Sequence, residues 1–184
     1  MDEVVEFINR FIEAEYQAVM ATHTNPDGEA VRQAIAAAEA FVHSTPRSIV
    51  SLGIGRPPGM TSEELQPLAE EAERLGPRIL YAVATYDLAG RTVHRAFVGA
   101  HRDPAGFSYD LTLNIAPVDG DLRIVGRTAV NVFAAQDRLE WEPAGGEQFP
   151  EDASPTEVVA LQRPGDPVHA AHFDQLAEAA GGSS

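Results

Sequence analysis

At Arg78 the hydrophobic periodicity of this chain changes from that of a helix to that of a strand, and this change limits the fold more than any other feature. Before it, Val4, Ile8, Phe11, Ile12, Tyr16 and Val19 recur at helical spacing from about Asp2 to Ala21, with Glu6, Arg10, Glu13 and Gln17 on the opposite side. Asn25-Pro26-Asp27 then offers an N-cap, a proline for the first turn and an acid for the helix dipole. The spacing of Val31, Ile35, Ala38 and Val42 predicts a second helix that stops near Thr45-Pro46.

From Arg78 onward the period is two. Ile79, Tyr81 and Val83 alternate with Leu80, Ala82 and Ala84, so the first strand suits a position covered on both faces. Leu88-Ala89-Gly90-Arg91 supplies a turn into a strand from Thr92 to Arg102, and Asp103-Pro104-Ala105-Gly106 makes the next connection. Phe107, Tyr109, Leu111, Leu113 and Ile115 alternate with Ser108, Asp110, Thr112 and Asn114, the pattern of a strand with one polar face. Asp119-Gly120-Asp121 leads to a last strand, Leu122 to Val132. The expectation is an α+β fold: a bent antiparallel meander packed against N-terminal helices.

Between the two regimes, Ser48 to Gly59 reads as a short strand running into a constrained loop. Its glycines lack the Gly-x-Gly-x-x-Gly spacing of a nucleotide loop, and prolines stand where phosphate-cradling amides would be needed. Thr61-Ser62-Glu63-Glu64 has the form of a capping box, but Pro67 opposes continuation. One short turn followed by a separate helix from Pro67 to Leu75 satisfies both signals.

The composition excludes several chemistries. Without cysteine there are no disulfides, thiolate nucleophiles or cysteine metal sites, and without lysine there is no Schiff base and no P-loop lysine. With 28 acidic residues against 13 arginines, the net charge is −15. Such a field repels nucleic acid and attracts a basic macromolecule, although acidity also serves solubility alone. No apolar run reaches the length of a membrane span, and the acidic Met1-Asp2-Glu3 start is unlike a secretory signal, so a cytoplasmic, membrane-free protein is expected.

After Phe133 the character changes. Residues 134–184 hold ten acids and two arginines, a net of −8, and Glu142 to Asp152 reads as an exposed linker rich in Pro, Gly and Glu. Ser154-Pro155-Thr156-Glu157 looks like a helix start ended by Pro164-Gly165, and Asp166-Pro167 opens another helix with Phe173, Leu176 and Ala177 as its apolar stripe. The organisation expected is one domain over residues 1–133 followed by an acidic linker and helical appendage over 134–184. His169 and His172, three apart, form one stripe with Phe173 and Leu176, which reads as packing rather than metal binding. No cofactor is expected.

The helix order, the Ser51-Leu52-Gly53-Ile54-Gly55-Arg56-Pro57-Pro58 loop and the strands through Asn131 resemble the nuclear-transport-factor-2-like superfamily. Within it the chain is most similar to bacterial immunity proteins of polymorphic toxin systems, where a Leu-Gly-x-x-Pro-Pro-like loop, approximated here by Leu52, Gly53, Pro57 and Pro58, separates helices from strands. The resemblance covers about residues 1–133 and implies a cone in which a curved sheet wraps a helix. It implies a non-enzymatic protein that neutralises a cognate toxin, such as a basic nuclease domain. Asp119, Asp121, Asp137, Glu140 and Glu142 are then the acids expected at the interface, with Trp141 either an aromatic anchor or a cap on the open end of the core.

The alternative within the same fold is a small-molecule-binding protein, or an isomerase-, dehydratase- or hydrolase-type enzyme, that uses the cone cavity. For that alternative the resemblance points to Asp110, Tyr16, His94 and His101, with Asp110 as a desolvated base if the polar face of its strand lines the cone. Strict alternation favours the other reading, in which that face meets solvent. A third reading is homodimerisation through the outer sheet face, as relatives of the fold do.

Overall fold

The computed structural model describes residues 1–25, 28–43, 60–99, 111–129, 138–139, 147–150 and 152–181. It is an α+β structure in which three helices, α1 (Asp2–Thr24), α2 (Glu29–Glu39) and α3 (Ser62–Leu75), precede the main sheet. The sheet contains β1 (Ile79–Leu88), β2 (Arg91–Gly99), β3 (Leu111–Val118) and β4 (Asp121–Ala129) as the expected antiparallel meander. Arg138–Leu139 (β5) and Glu147–Gln148 (β6) form a separate small ladder. A fifth strand, β7 (Glu157–Ala160), pairs with the outer side of β1, and α4 (Pro167–Gly181) ends the described chain.

The two tight turns of the meander have the geometry that right-twisted hairpins require. Ala89 and Gly90 have φ of 52° and 77°, and Asp119 and Gly120 have 53° and 92°. Positive φ at both central residues marks a primed turn, which glycine adopts without strain and aspartate tolerates.

Both faces of the sheet are covered. On one, Val4, Ile8, Phe11 and Ile12 of α1 and Ala38 of α2 pack against Leu80, Ala96, Leu113, Ile115 and Ile124. On the other, Phe149 and the α4 residues Phe173 and Leu176 pack against Ala84, Tyr86, Val93 and Phe97. Thr112 and Asn114 point to this second face and are 3% and 0% exposed, so the polar face of β3 is buried there rather than solvated. Alternation read β3 as half-exposed because it carries no information about what later chain covers it.

Other expectations are corrected locally. Ser62–Leu75 is one continuous helix through Pro67, and Thr61 and Glu64 form a complete capping box at its start. That box satisfies amides of the first turn and stabilises the helix by about 1 kcal/mol, offsetting part of the bond lost at proline. The N-cap of α2 is Gly28 rather than Asn25, which instead ends α1, and α2 stops at Glu39 rather than near Thr45. Its chain continues as Phe41-Val42-His43 beside β4: Ile124 N–H donates to the Phe41 carbonyl and His43 N–H to the Ile124 carbonyl, both at 2.9 Å.

The helix expected from Ser154 is instead the approach to β7. Thr156 gives both its N–H (2.7 Å) and its hydroxyl (3.2 Å) to the Thr85 carbonyl. Val158 and Val159 are β-branched, and the free edge of β1 offers a ladder that a two-turn helix cannot match. The Ser48–Gly59 loop, the β2–β3 connection and the start expected for β3 lie outside the described residues.

Candidate functional site

The first turns of α1 bring Glu3, Glu6, Phe7 and Arg10 to one side, because residues three and four apart on a helix are neighbours. The C-terminal end of α2 contributes Ala40 and Phe41 beside them, and the β3–β4 hairpin closes the third side with Asp121, Leu122 and Arg123. Together they line an open groove of about 690 Å³. Its floor is aromatic: the Phe7 and Phe41 rings meet edge to face at 5.3 Å, and Phe11 supports Phe41 from the core at 5.9 Å. The pairing of Phe41 and His43 with Ile124 holds that floor at a fixed height.

The rim carries three carboxylates and two guanidiniums, and both guanidiniums are engaged within the groove. Arg10 lies over the Phe41 ring at 5.8 Å. Arg123 turns back on its own strand, donating to Asp121 Oδ2 (3.2 Å) and to the Leu122 carbonyl (3.1 Å). Glu3 and Glu6 are exposed and have no ion-pair partner among the described residues. An apolar floor with exposed carboxylates above it suits a segment that presents both an apolar and a cationic side chain.

A second charged cluster has a different character. Glu15 of α1 is 5% exposed and bridges two arginines, receiving Arg127 of β4 on Oε1 (2.9 Å) and Arg78 on Oε2 (3.2 Å). Both oxygens are occupied, so the carboxylate ties α1 to β4 and to the residue that leads into β1 rather than facing a substrate. Glu15, Ala18 and Thr22 are buried on this part of α1, whereas Tyr16 and Val19, expected as the core stripe, are only partly so.

The structure places four of the sequence-derived candidates and separates most of them. Asp119 is exposed at the tip of the β3–β4 turn, where its left-handed backbone gives it a structural task, and Asp121 lies at the groove rim. His94 accepts or donates a hydrogen bond with Thr85 Oγ1 at 3.0 Å. Burial holds the pKa of its imidazole below the usual histidine value, and the nearby Met1 ammonium adds to this. Tyr16 lies about 22 Å along α1 from Met1, so it and His94 belong to different ends of that helix. Asp110, His101, Asp137, Glu140, Trp141 and Glu142 lie outside the described residues.

Glu3, Phe7 and Phe41 were not singled out from the sequence. Phe7 and Phe11 are four apart, a signal for one face, but nothing local shows that Phe41 returns to meet them. His169 and His172 do not converge on a common point: His169 Nδ1 is bonded to Asp166 Oδ1 (2.9 Å), while the His172 ring packs on Phe97 (5.3 Å). Among the described residues no helix is long and apolar enough to cross a membrane. Comparison with protein-family models, curated proteins and solved structures finds no match.

Proposed function

We propose that this chain is a non-enzymatic partner-binding protein, and that the α1–α2–hairpin groove receives a basic, partly apolar segment of another protein. The observation that carries the reading is the pairing of an aromatic floor, Phe7 and Phe41, with the exposed carboxylates of Glu3 and Glu6 and the rim acid Asp121. A net charge of −15 extends the attraction beyond the groove and accelerates encounter with a cationic partner. The filled interior supports a surface mode of binding: Ile8, Phe11, Leu113 and Ile115 between helices and sheet have 0% exposure.

The partner class that fits best is a basic bacterial toxin domain, with this chain acting in the cytoplasm as its immunity protein. Support comes from the acidic surface and from the resemblance to nuclear-transport-factor-2-like immunity proteins. Helices against one face of a consecutive antiparallel meander are consistent with the cone of that superfamily.

The test compares wild type with a Glu3→Lys/Glu6→Lys/Asp121→Lys variant as bait in lysate of the source cell. The expected result is a basic polypeptide retained by wild type and lost by the variant, whose production arrests growth unless wild type is co-produced. Equal retention by both baits, or a captured protein whose toxicity wild type does not relieve, overturns the reading.

A further inference from the structure

The charges that border the groove are ordered along α1. Glu3, Glu6, Phe7 and Arg10 share the groove-facing side of the helix, with the acids toward its N-terminus, the ring in the middle and the cation about one turn further on. Glu3, Glu6 and Arg10 are exposed, and Phe7 is half-buried. Glu3 and Arg10 stand two turns apart, about 10 Å along the axis, so their charges do not meet within one chain. Arg10 lies over the Phe41 ring at 5.8 Å. A contact of that kind uses the charge and not the N–H groups, and a guanidinium carries several that suit a carboxylate.

We propose that this face is self-complementary and that, when no partner fills the groove, a second copy of the chain covers it, with α1 of each copy antiparallel to α1 of the other. The proposal rests on the groove being a binding surface and adds what regulates it. A two-fold axis passing between Glu6 and Phe7 sets Glu3 against Arg10 of the second copy, sets Arg10 against Glu3 of the second copy, and brings the two Phe7 rings together over the aromatic floors. The charges select this direction. A parallel pair of helices would set Glu3 on Glu3, Glu6 on Glu6 and Arg10 on Arg10, and like charges placed opposite one another oppose association.

The pairing is weak by construction. Each copy carries a net charge of −15, so the long-range force between copies is repulsive. The contact is confined to two turns of α1 and the groove they border, which places it with the transient interfaces that bury less than about 1,200 Å². A basic segment meets the same carboxylates without that repulsion and displaces the second copy. Self-coverage thus keeps the Phe7 and Phe41 rings from unrelated apolar chains until a cationic competitor arrives.

The test is sedimentation equilibrium of the full chain from about 1 µM to about 1 mM, a range that brackets weak self-association. Expected is a monomer–dimer equilibrium that Arg10→Glu and Glu3→Arg each weaken about tenfold, because the two-fold axis counts every substitution twice. Glu3→Arg lowers the net negative charge, so general repulsion alone would make that variant associate more tightly. An equimolar mixture of the two variants restores both charge pairs across the axis and is expected to dimerise as wild type does, as is the chain that carries both substitutions. A chain that is monomeric throughout, a dimer as tight in either single variant as in wild type, or a loss that neither the mixture nor the double variant reverses would each overturn the proposal. Capture of a basic partner is measured separately, so a monomer that still captures one overturns self-coverage alone and leaves the groove as the partner's site.

Discussion

Replacing Glu15 with glutamine lowers the unfolding free energy by about 3 kcal/mol, the usual range for removing one member of a buried ion cluster being about 3 to 5. The cost arises from what stays behind. Arg127 and Arg78, with side chains 15% and 29% exposed, keep their charges but lose the carboxylate that both contact. Glutamine preserves the shape, so loss of packing does not explain the effect. Chemical denaturation of both proteins measures it, and an Arg74→Gln variant of the exposed Arg74–Glu71 pair is the comparison that stays close to wild type. A Glu15→Gln protein as stable as wild type would mean that the three-residue cluster does not hold α1 to the sheet.

Phe11→Ala is expected to cost about 4 kcal/mol, within the range for deleting a large aromatic side chain from a packed core. Phe11 has 0% exposure and lies between α1, the sheet and the Phe41 ring. The cavity therefore opens beneath the groove floor, and loss of stability should be accompanied by a weaker grip on Phe41. Phe7→Ala, on the partly exposed side of the same ring, should cost less stability while removing half of the aromatic floor. Denaturant midpoints for the two variants separate these roles; a Phe7→Ala protein less stable than Phe11→Ala would reverse the assignment of core and floor.

The strands of the meander and both of its tight turns were legible because each signal is local: period two in the apolar residues, and glycine at Gly90 and Gly120 where φ must be positive. The start of α1 was legible for the same reason, although the helix runs three residues beyond the expected Ala21. What escaped the sequence depends on contacts distant along the chain. Glu157–Ala160 is a strand only because the edge of β1 is available, and the 0% exposure of Asn114 on the polar face of β3 has no local signature. Glu15 reads as a break in the apolar stripe of α1 until the fold brings Arg78 and Arg127 to it.

Of the candidate site, Asp121 was found from its turn and Glu6 was seen only as a solvated position. The groove exists because Phe41, after the end of α2, pairs alongside Ile124 and meets Phe7, a juxtaposition with no periodic signature. The charge that makes the groove selective was visible in the composition, but its location was not. Acids are spread along the whole chain, and exposure and pairing decide which of them remain unneutralised.

Binding in the groove is measured most directly by backbone hydrogen exchange of the protein alone and saturated with the basic partner recovered by capture. Slowing is expected to concentrate at residues 1–10, 40–43 and 117–123, the three segments that build the groove. Slowing confined to α3 or α4, with those segments unchanged, would contradict it.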